Sequence, residues 1–534
     1  MGKYLVYILT LTFCVHLNSL AQDAKNVTLY GHIDPEPIHY AGCWGYVDSV
    51  GNEYALLGTY YGTSVIAISD SANIRQISFI QGSASNWREM VVAGDYGYIV
   101  SEGRDSLAGL QILDLSDLPD SARLASTYKA TFSSAHILSR DVSNNSAFIY
   151  VSGTDSTGGV HILDVQNPEN PVQVGLYAPY YIHDCHVRGD WMYAAAIYNG
   201  TLDIVDISDR SNPVMVSQLV YPGAFTHSSW TTEDGHYLVV TDEIDGARAH
   251  IWDISDPFNP EQVASYSGNE ASLVHNPYIK GSFSFFSHNT EGLRVVDITD
   301  PLCPAEVGYY DTYPGLSGGF HGLWSAYPFL PSGLILGGNR EDGLYIWRFN
   351  GQKGARIYGQ VLDSITGLPV PNAIIRLDTT TAKANSSWDG SFAIGVMPSP
   401  IEGYWLNASA PGYVSKAYGK LYPQEDDSLF VTIELVDSLT SGTSRLAQLP
   451  SAMCLFPQPA GTWVNVNIHP QNVLQHVYLT SADGKRSGLS FGKAGAGEWR
   501  IDLYTGVKPL IPGMYIITMV SEDGVMHARC VIGD

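Results

Sequence analysis

Along residues 27 to 349 apolar and polar residues alternate in short runs, and Gly, Asn, Asp and Pro break the runs at close intervals. A period of two is the period of a β-strand with one face buried. One stretch displays a whole unit: HDCHVRG from His183, WMYAAAIY from Trp191, GTLDIVDIS from Gly200 and VMVSQLVY from Val214. Between these four strands stand Gly189-Asp190, Asn199-Gly200 and Ser211-Asn212-Pro213. Gly and Asn accept the positive φ of tight hairpins, and Pro cannot continue a ladder, so each of the three is a turn.

The unit recurs. Its third strand and the turn after it read GLQILDLSDLPD from Gly109, GVHILDVQNPENP from Gly159, GTLDIVDISDRSNP from Gly200, ARAHIWDISDPFNP from Ala247 and GLRVVDITDPLCP from Gly292. Two degenerate copies flank them, GTSVIAISDSAN from Gly62 and GLYIWRFN from Gly343. With Ala67, Asp114, Asp164, Asp206, Asp253, Asp297 and Arg348 as equivalent points, the separations are 47, 50, 42, 47, 44 and 51 residues. A period in the forties built from strands predicts an all-β chain with a seven-bladed β-propeller over residues 26–350. The last copy stops after its third strand, so VTLYGHI, residues 27–33, is expected to close the ring as its outer strand.

Composition changes the picture only in where the chain works. A formal charge of −25 with 15% charged residues argues against nucleic-acid binding. The first 21 residues, MGKYLVYILTLTFCVHLNSLA, read as a signal peptide for Sec-dependent export to the periplasm, and no later stretch is apolar enough to span a membrane. Cys43, Cys185, Cys303, Cys454 and Cys530 are too few and too odd in number for a disulfide framework.

Two small β-sandwich domains are expected after the ring. Residues 355–436 alternate like a small antiparallel sandwich, with IYGQVLDSITGLPVPNAIIRLDTT from Ile357 and DGSF from Asp389. This pattern resembles the transthyretin-like carboxypeptidase regulatory domain, which implies a spacer or adhesion module without catalytic residues. Residues 437–447, rich in Ser and Thr, read as a linker. Residues 448–534 carry Pro457 and Pro459 around an opening strand, Gly484 in an Asp-Gly turn, and Gly513 and Tyr515 before a late strand. These landmarks resemble the C-terminal sorting domain of the type IX secretion system of Bacteroidetes, although Gln458 stands where Asn is usual. The resemblance implies passage across the outer membrane by that machinery. The ring itself, through GLQILDLSD, GTLDIVDISD and GLRVVDITD, resembles the LVIVD-repeat family and its choice-of-anchor B members. That family implies a fold and a secreted or cell-surface location, and no activity.

Function must then come from residue placement. The Asp-Ile-Ser-Asp turns all fall on one face and read as Asx turns. The opposite face carries the start of each first strand and the loop between the second and third strands. There stand Trp44, Trp87, His136, His186, His227, His275 and His321, with His183 and Asp184 beside His186, and the loop acids Glu243 and Glu291. One reading makes these histidines repeated hydrogen-bond donors within the blades. The other makes His136, His183, Asp184, His186, His227, Glu243, His275, Glu291 and His321 a ligand site, with a divalent metal, if held, on His186, His227, His275 and His321. Motifs for zinc proteolysis and phosphate binding are absent from the chain. The expected function is capture of an extracellular protein or glycan, the competing one metal-assisted hydrolysis.

Overall fold

The computed structural model describes residues 23–438, apart from 37 and 145, and strand segments between 454 and 532. The expected signal peptide, Pro457, Pro459 and Gly484 lie outside the described residues. Contacts divide the chain into two compact units, the first ending at Asp437 and the second beginning at Ser438. Among the described residues the structure is all-β apart from a single 3-10 turn, Ile197–Asn199, and no helix is long and apolar enough to cross a membrane.

Residues 27–349 build successive four-stranded antiparallel sheets in a β-propeller arrangement. Their first strands are Tyr40–Val47, Arg88–Ala93, Ile137–Ser139, Asp184–Arg188, Thr226–Thr231, Asn276–Lys280 and Leu323–Tyr327. Each of these packs on the next, and the last packs on the first. The core lies between the sheets. Tyr193 and Leu202 of one sheet meet Leu238 and Trp252 of the following one, and across the closure Leu57 and Ile66 meet Leu336 and Leu344. Every sheet therefore depends on its neighbours for its buried area.

The repeated Asp explains the repeated turn. Oδ1 of Asp114, Asp164, Asp206, Asp253 and Asp297 accepts the N–H two residues on, from Ser116, Gln166, Ser208, Ser255 and Thr299, at 2.7–3.0 Å. Each is an Asx turn that stops the third strand. Asp297 does more. Its Oδ2 accepts Gly354 N–H at 2.7 Å and its Oδ1 lies 3.2 Å from Arg356 Nη2, both side chains buried. This pair ties the ring to the module that follows, with Tyr358 donating to Asp300 at 2.7 Å beside it.

That module has two four-stranded sheets, one containing Ala355–Asp363, Ser391–Val396 and Ser428–Asp437, the other Ile374–Leu377, Tyr404–Ser409 and Lys416–Leu421. They enclose Ile357, Val361, Ile375, Leu406 and Ile433. The expectation of an antiparallel pattern throughout is corrected at its centre: Ala355–Asp363 and Ser428–Asp437 run parallel. They are the module's first and last strands, and the whole intervening chain serves as the crossover that parallel pairing requires. Asp437, expected in a linker, ends that strand. The second unit, taken by itself, has two further four-stranded sheets around Val464, Val477, Trp499 and Ile517, and Gly513 and Tyr515 lie in its strand Gly513–Ser521.

Strands from both ends of the ring complete its last two sheets. Val27–Ile33 pairs antiparallel with Gly343–Phe349, and Ala24–Lys25 adds to Ala305–Tyr310 of the sheet before. Asn26 makes the step between them at φ 59°, its Nδ2 donating to Val307 O at 2.7 Å. A β-branched residue is strained at such a φ and Gly is not. Asn26→Val is expected to lower stability by about 1–3 kcal/mol and Asn26→Gly by less. A chain beginning at Pro35 is expected to lose far more, read as melting temperature. Unchanged melting of that shortened chain would contradict this role for the N-terminal strand.

Candidate functional site

At the end of the ring where the first strands begin, six aromatic rings follow one another from neighbouring sheets. Trp87, Trp324, His275, His227, His183 and His136 stand with successive centroids 4.9, 4.0, 4.3, 4.5 and 4.2 Å apart. The first sheet contributes Gly42 instead, and a Cβ there would overlap the Glu89 carboxylate. Glu89 fills that gap and accepts Trp324 Nε1–H at 2.8 Å.

The backbone aims five of these rings, all but Trp87, by one repeated device. His136 and Ile137 both face Ser152, His183 and Asp184 both face Ala195, and His275 and Asn276 both face Ser287. The pairing likewise slips between Thr226 and Ser228, around His227, and between Leu323 and Ser325, around Trp324. Two residues opposite one is a β-bulge, which turns the extra side chain out of the ladder.

The imidazole protons are assigned by their partners. Nδ1 of His227 stands 3.1 Å from His275 O, and Nδ1 of His275 stands 2.7 Å from Trp324 O. A carbonyl only accepts, so both Nδ1 atoms carry the proton and both Nε2 atoms present lone pairs. Nδ1 of His183 is buried and has no hydrogen-bond partner among the described residues. Burial pushes His183 and His227 well below the usual histidine range and His275 down to about 3.

Facing these nitrogens is Glu243, from the loop after the second strand of the fifth sheet. Its carboxylate oxygens lie 3.6 Å from Nε2 of His227, 3.8 Å from that of His275 and 4.0 Å from that of His183. The His275 Nε2 is buried and has no hydrogen-bond partner. Lone pairs thus confront a carboxylate with no donor between them. Such a group is stable only if a proton or a cation sits among the acceptors. In the protein alone the proton takes the place: burial pushes Glu243 up to about 7, partly offset by His136.

His136 closes the arc, its Nδ1 2.8 Å from Glu102 Oε1. Burial works against its charge, but the Glu102 carboxylate outweighs this and holds its pKa above the ordinary value. Asp184 lies one residue past His183, fully buried, with Oδ1 accepting Cys185 N–H at 2.7 Å and its carboxyl pushed up to about 6 by burial.

The structure therefore brings together His136, His183, His227, His275 and Glu243, with Asp184 adjacent. Three expected residues lie elsewhere, and two of them change the expected metal set. His186 points between sheets, with Nε2 2.9 Å from Thr231 Oγ1 and its ring against Trp230. His321 is exposed, paired with Glu341 at 2.8 Å and stacked on Tyr313. Glu291 is engaged by Arg294 and Ser317. His183 and Glu243 take the places expected for His186 and His321. The bulge is the reason, because it offsets the axial residue from the alternation that governs the strand. Trp44 lies against Tyr327, outside the arc. Trp324, Glu89 and Arg340 were not anticipated. The one signal for Trp324 is that Leu-Trp-Ser begins its first strand as Thr-His-Ser begins that of the fifth sheet.

The LVIVD repeat family matches residues 181–219 and 276–312, which lie in the fourth and sixth sheets. No curated protein matches the chain. Among solved structures the chain is similar to a protein assigned as a 6-phosphogluconolactonase from Bacteroides fragilis NCTC 9343, at 13% identity and a TM-score of 0.44, over 62% of this chain and 93% of that one.

The proton on Glu243 has a measurable consequence. A carboxyl raised to about 7 from 4.5 costs stability as pH rises through that window, because the unfolded chain ionises first and without penalty. Glu243→Gln removes that loss and supplies an amide donor for the nearby Nε2 lone pairs. In chelator-treated protein the variant is expected to be more stable than the parent at pH 8 by on the order of 1–3 kcal/mol, with little difference at pH 5. A lower melting temperature at both pH values would show that the carboxylate is a structural partner of the histidines.

Proposed function

We propose that this chain is a seven-bladed LVIVD-type propeller, exported to the cell surface or the medium, whose mouth binds an extracellular ligand through a divalent transition-metal ion. In this reading residues 355–436 are a carboxypeptidase regulatory-like sandwich spacer and residues 448–534 a type IX sorting domain. The reading of residues 1–21 as a signal peptide supports the location.

The observation that carries the metal is the convergence of Nε2 atoms on one carboxylate without a donor. Neutral imidazole and carboxylate are the donor set of zinc and its neighbours. Bonds of about 2.0–2.1 Å place tetrahedral ligands roughly 3.4 Å apart. The separations of 3.6–4.0 Å exceed this by a few tenths of an ångström. The Nδ1–H bonds to the His275 and Trp324 carbonyls would fix the ring orientations, the usual task of groups behind metal ligands. His183, His227 and Glu243 each bring one ligand atom within 4.8 Å of the others, and His275 would complete four.

Ligand capture is favoured by the rim. Tyr61, Leu107, Tyr198, Ile244, Leu316 and Phe320 are exposed on loops of the same face, apolar surface suited to a protein or glycan. Metal-assisted hydrolysis is the second reading: a divalent ion held by His183, His227, His275 and Glu243 would supply Lewis acidity, and the His136–Glu102 pair would supply acid–base chemistry.

Purified protein is expected to bind one equivalent of Zn²⁺, with affinity rising as pH climbs through about 7 while Glu243 loses its proton. His227→Gln or His275→Gln should weaken it at least tenfold, whereas His186→Gln and His321→Gln should not. Equal loss from all four variants, or no stoichiometric binding by calorimetry, would refute the site. Turnover of model esters or phosphoesters that vanishes with the metal would favour the hydrolase. For export, a chain ending at Ala447 should accumulate in the periplasm, and its appearance at the surface would reject the sorting assignment.

A further inference from the structure

Next to the histidine cluster, the loop after the second strand of the last sheet places Arg340 over two tryptophans. Its guanidinium carbon lies 4.8 Å from the centroid of Trp87 and 5.0 Å from that of Trp324, and those rings are themselves stacked at 15°. The residue is only 9% exposed. Its side chain makes no hydrogen bond to any described residue, and Nη1 is buried without a partner. The backbone is nonetheless fixed, with Tyr40 N–H donating to Arg340 O at 3.1 Å and Arg340 N–H to Gly322 O at 2.9 Å.

A nearly buried guanidinium without an acceptor is costly, since its charge loses water and gains only the faces of two rings. Two acids of the surroundings are committed elsewhere. Glu341 holds His321 and accepts Gly322 N–H at 2.8 Å, and Glu89 holds Trp324 Nε1. Glu341 still acts on Arg340 electrostatically, while burial pushes the arginine pKa down. The charge of Arg340 is also felt at His275, so the two groups share one electrostatic environment at the mouth.

We propose that Arg340, seated on Trp87 and Trp324, is an oxyanion subsite that takes a carboxylate or phosphate group of the ligand, beside the histidine–Glu243 cluster. The planar fork of donors matches two oxygens of either group. With a chain charge of −25, long-range attraction does not deliver such a ligand, so selection rests on local contacts such as this cation. The inference rests on reading this mouth as the ligand-binding face, and not on the metal.

The test uses the tryptophans as reporters. Intrinsic fluorescence is followed while inorganic phosphate and, separately, acetate are titrated at constant ionic strength into chelator-treated protein and into protein reloaded with one equivalent of Zn²⁺. A saturable change is expected, weakened about ten- to a hundredfold in Arg340→Gln, less in Arg340→Lys, and reduced in amplitude in Trp87→Phe, with zinc content and melting temperature held. Binding of acetate alone would assign a carboxylate, and of phosphate alone a phosphoryl group. No saturable response in the parent, or an unchanged affinity in Arg340→Gln, would overturn the subsite. Protein that binds the anion but no zinc would refute the metal and leave this subsite standing, whereas zinc without the anion would do the reverse.

Discussion

The mouth of this protein depends on one backbone irregularity, repeated where five of the first strands begin. In a regular ladder, successive side chains alternate between the two faces of a sheet, and in a ring of sheets both faces are covered by neighbours. A residue that obeys the alternation is therefore locked between sheets, as His186 is against Thr231 and Trp230. The bulges around His227 and Trp324, and the doubled pairings at His136, His183 and His275, release one side chain per sheet from that rule. The result is a set of rings near van der Waals contact, from different sheets, held as rigidly as the sheets themselves.

Rigidity is what makes the electrostatics consequential. Imidazoles that could turn would each find a donor or water. Here the Nδ1 atoms of His227 and His275 are fixed by carbonyls of the next sheet, so each sheet orients the ring of the one before it. Their lone pairs have nowhere to go but toward Glu243. Burial removes the option of protonating the rings, and the carboxyl takes up the proton at a raised pKa of about 7. Such a site is poised rather than comfortable, the condition expected where binding rather than packing decides the residues. Arg340 repeats the theme with opposite sign, a cation on aromatic faces without an oxygen to bind.

Much of the ring was legible in the sequence, because its two controlling signals are local. Alternation gives strands, and the Asp-Ile-Ser-Asp turn gives their register in five of the repeats, each Asp capping its own third strand. The candidate site was legible in part. The choice of face, His136, His183, His227, His275 and Glu243 all follow from counting loops. What escaped was anything decided by a bulge: in His183-Asp184-Cys185-His186 either histidine fits a strand, and only the doubled pairing to Ala195 puts the first at the axis. Trp324 escaped because it replaces a histidine three residues after a more conspicuous one, His321. Asp297 looked like its repeats and also clamps Arg356, a partner 59 residues away that no local pattern announces. The parallel pairing of Ala355–Asp363 with Ser428–Asp437 was hidden for the same reason.

The central claim is that the bulge-presented imidazoles and Glu243 form one coordination sphere. X-ray absorption at the zinc edge, on full-length mature protein loaded with one equivalent of Zn²⁺, addresses it directly. About four nitrogen and oxygen neighbours at roughly 2.0–2.1 Å are expected, with outer-shell scattering from three imidazoles. A shell of oxygens without imidazole scattering, or a sulfur neighbour at about 2.3 Å, would place the metal elsewhere and contradict it.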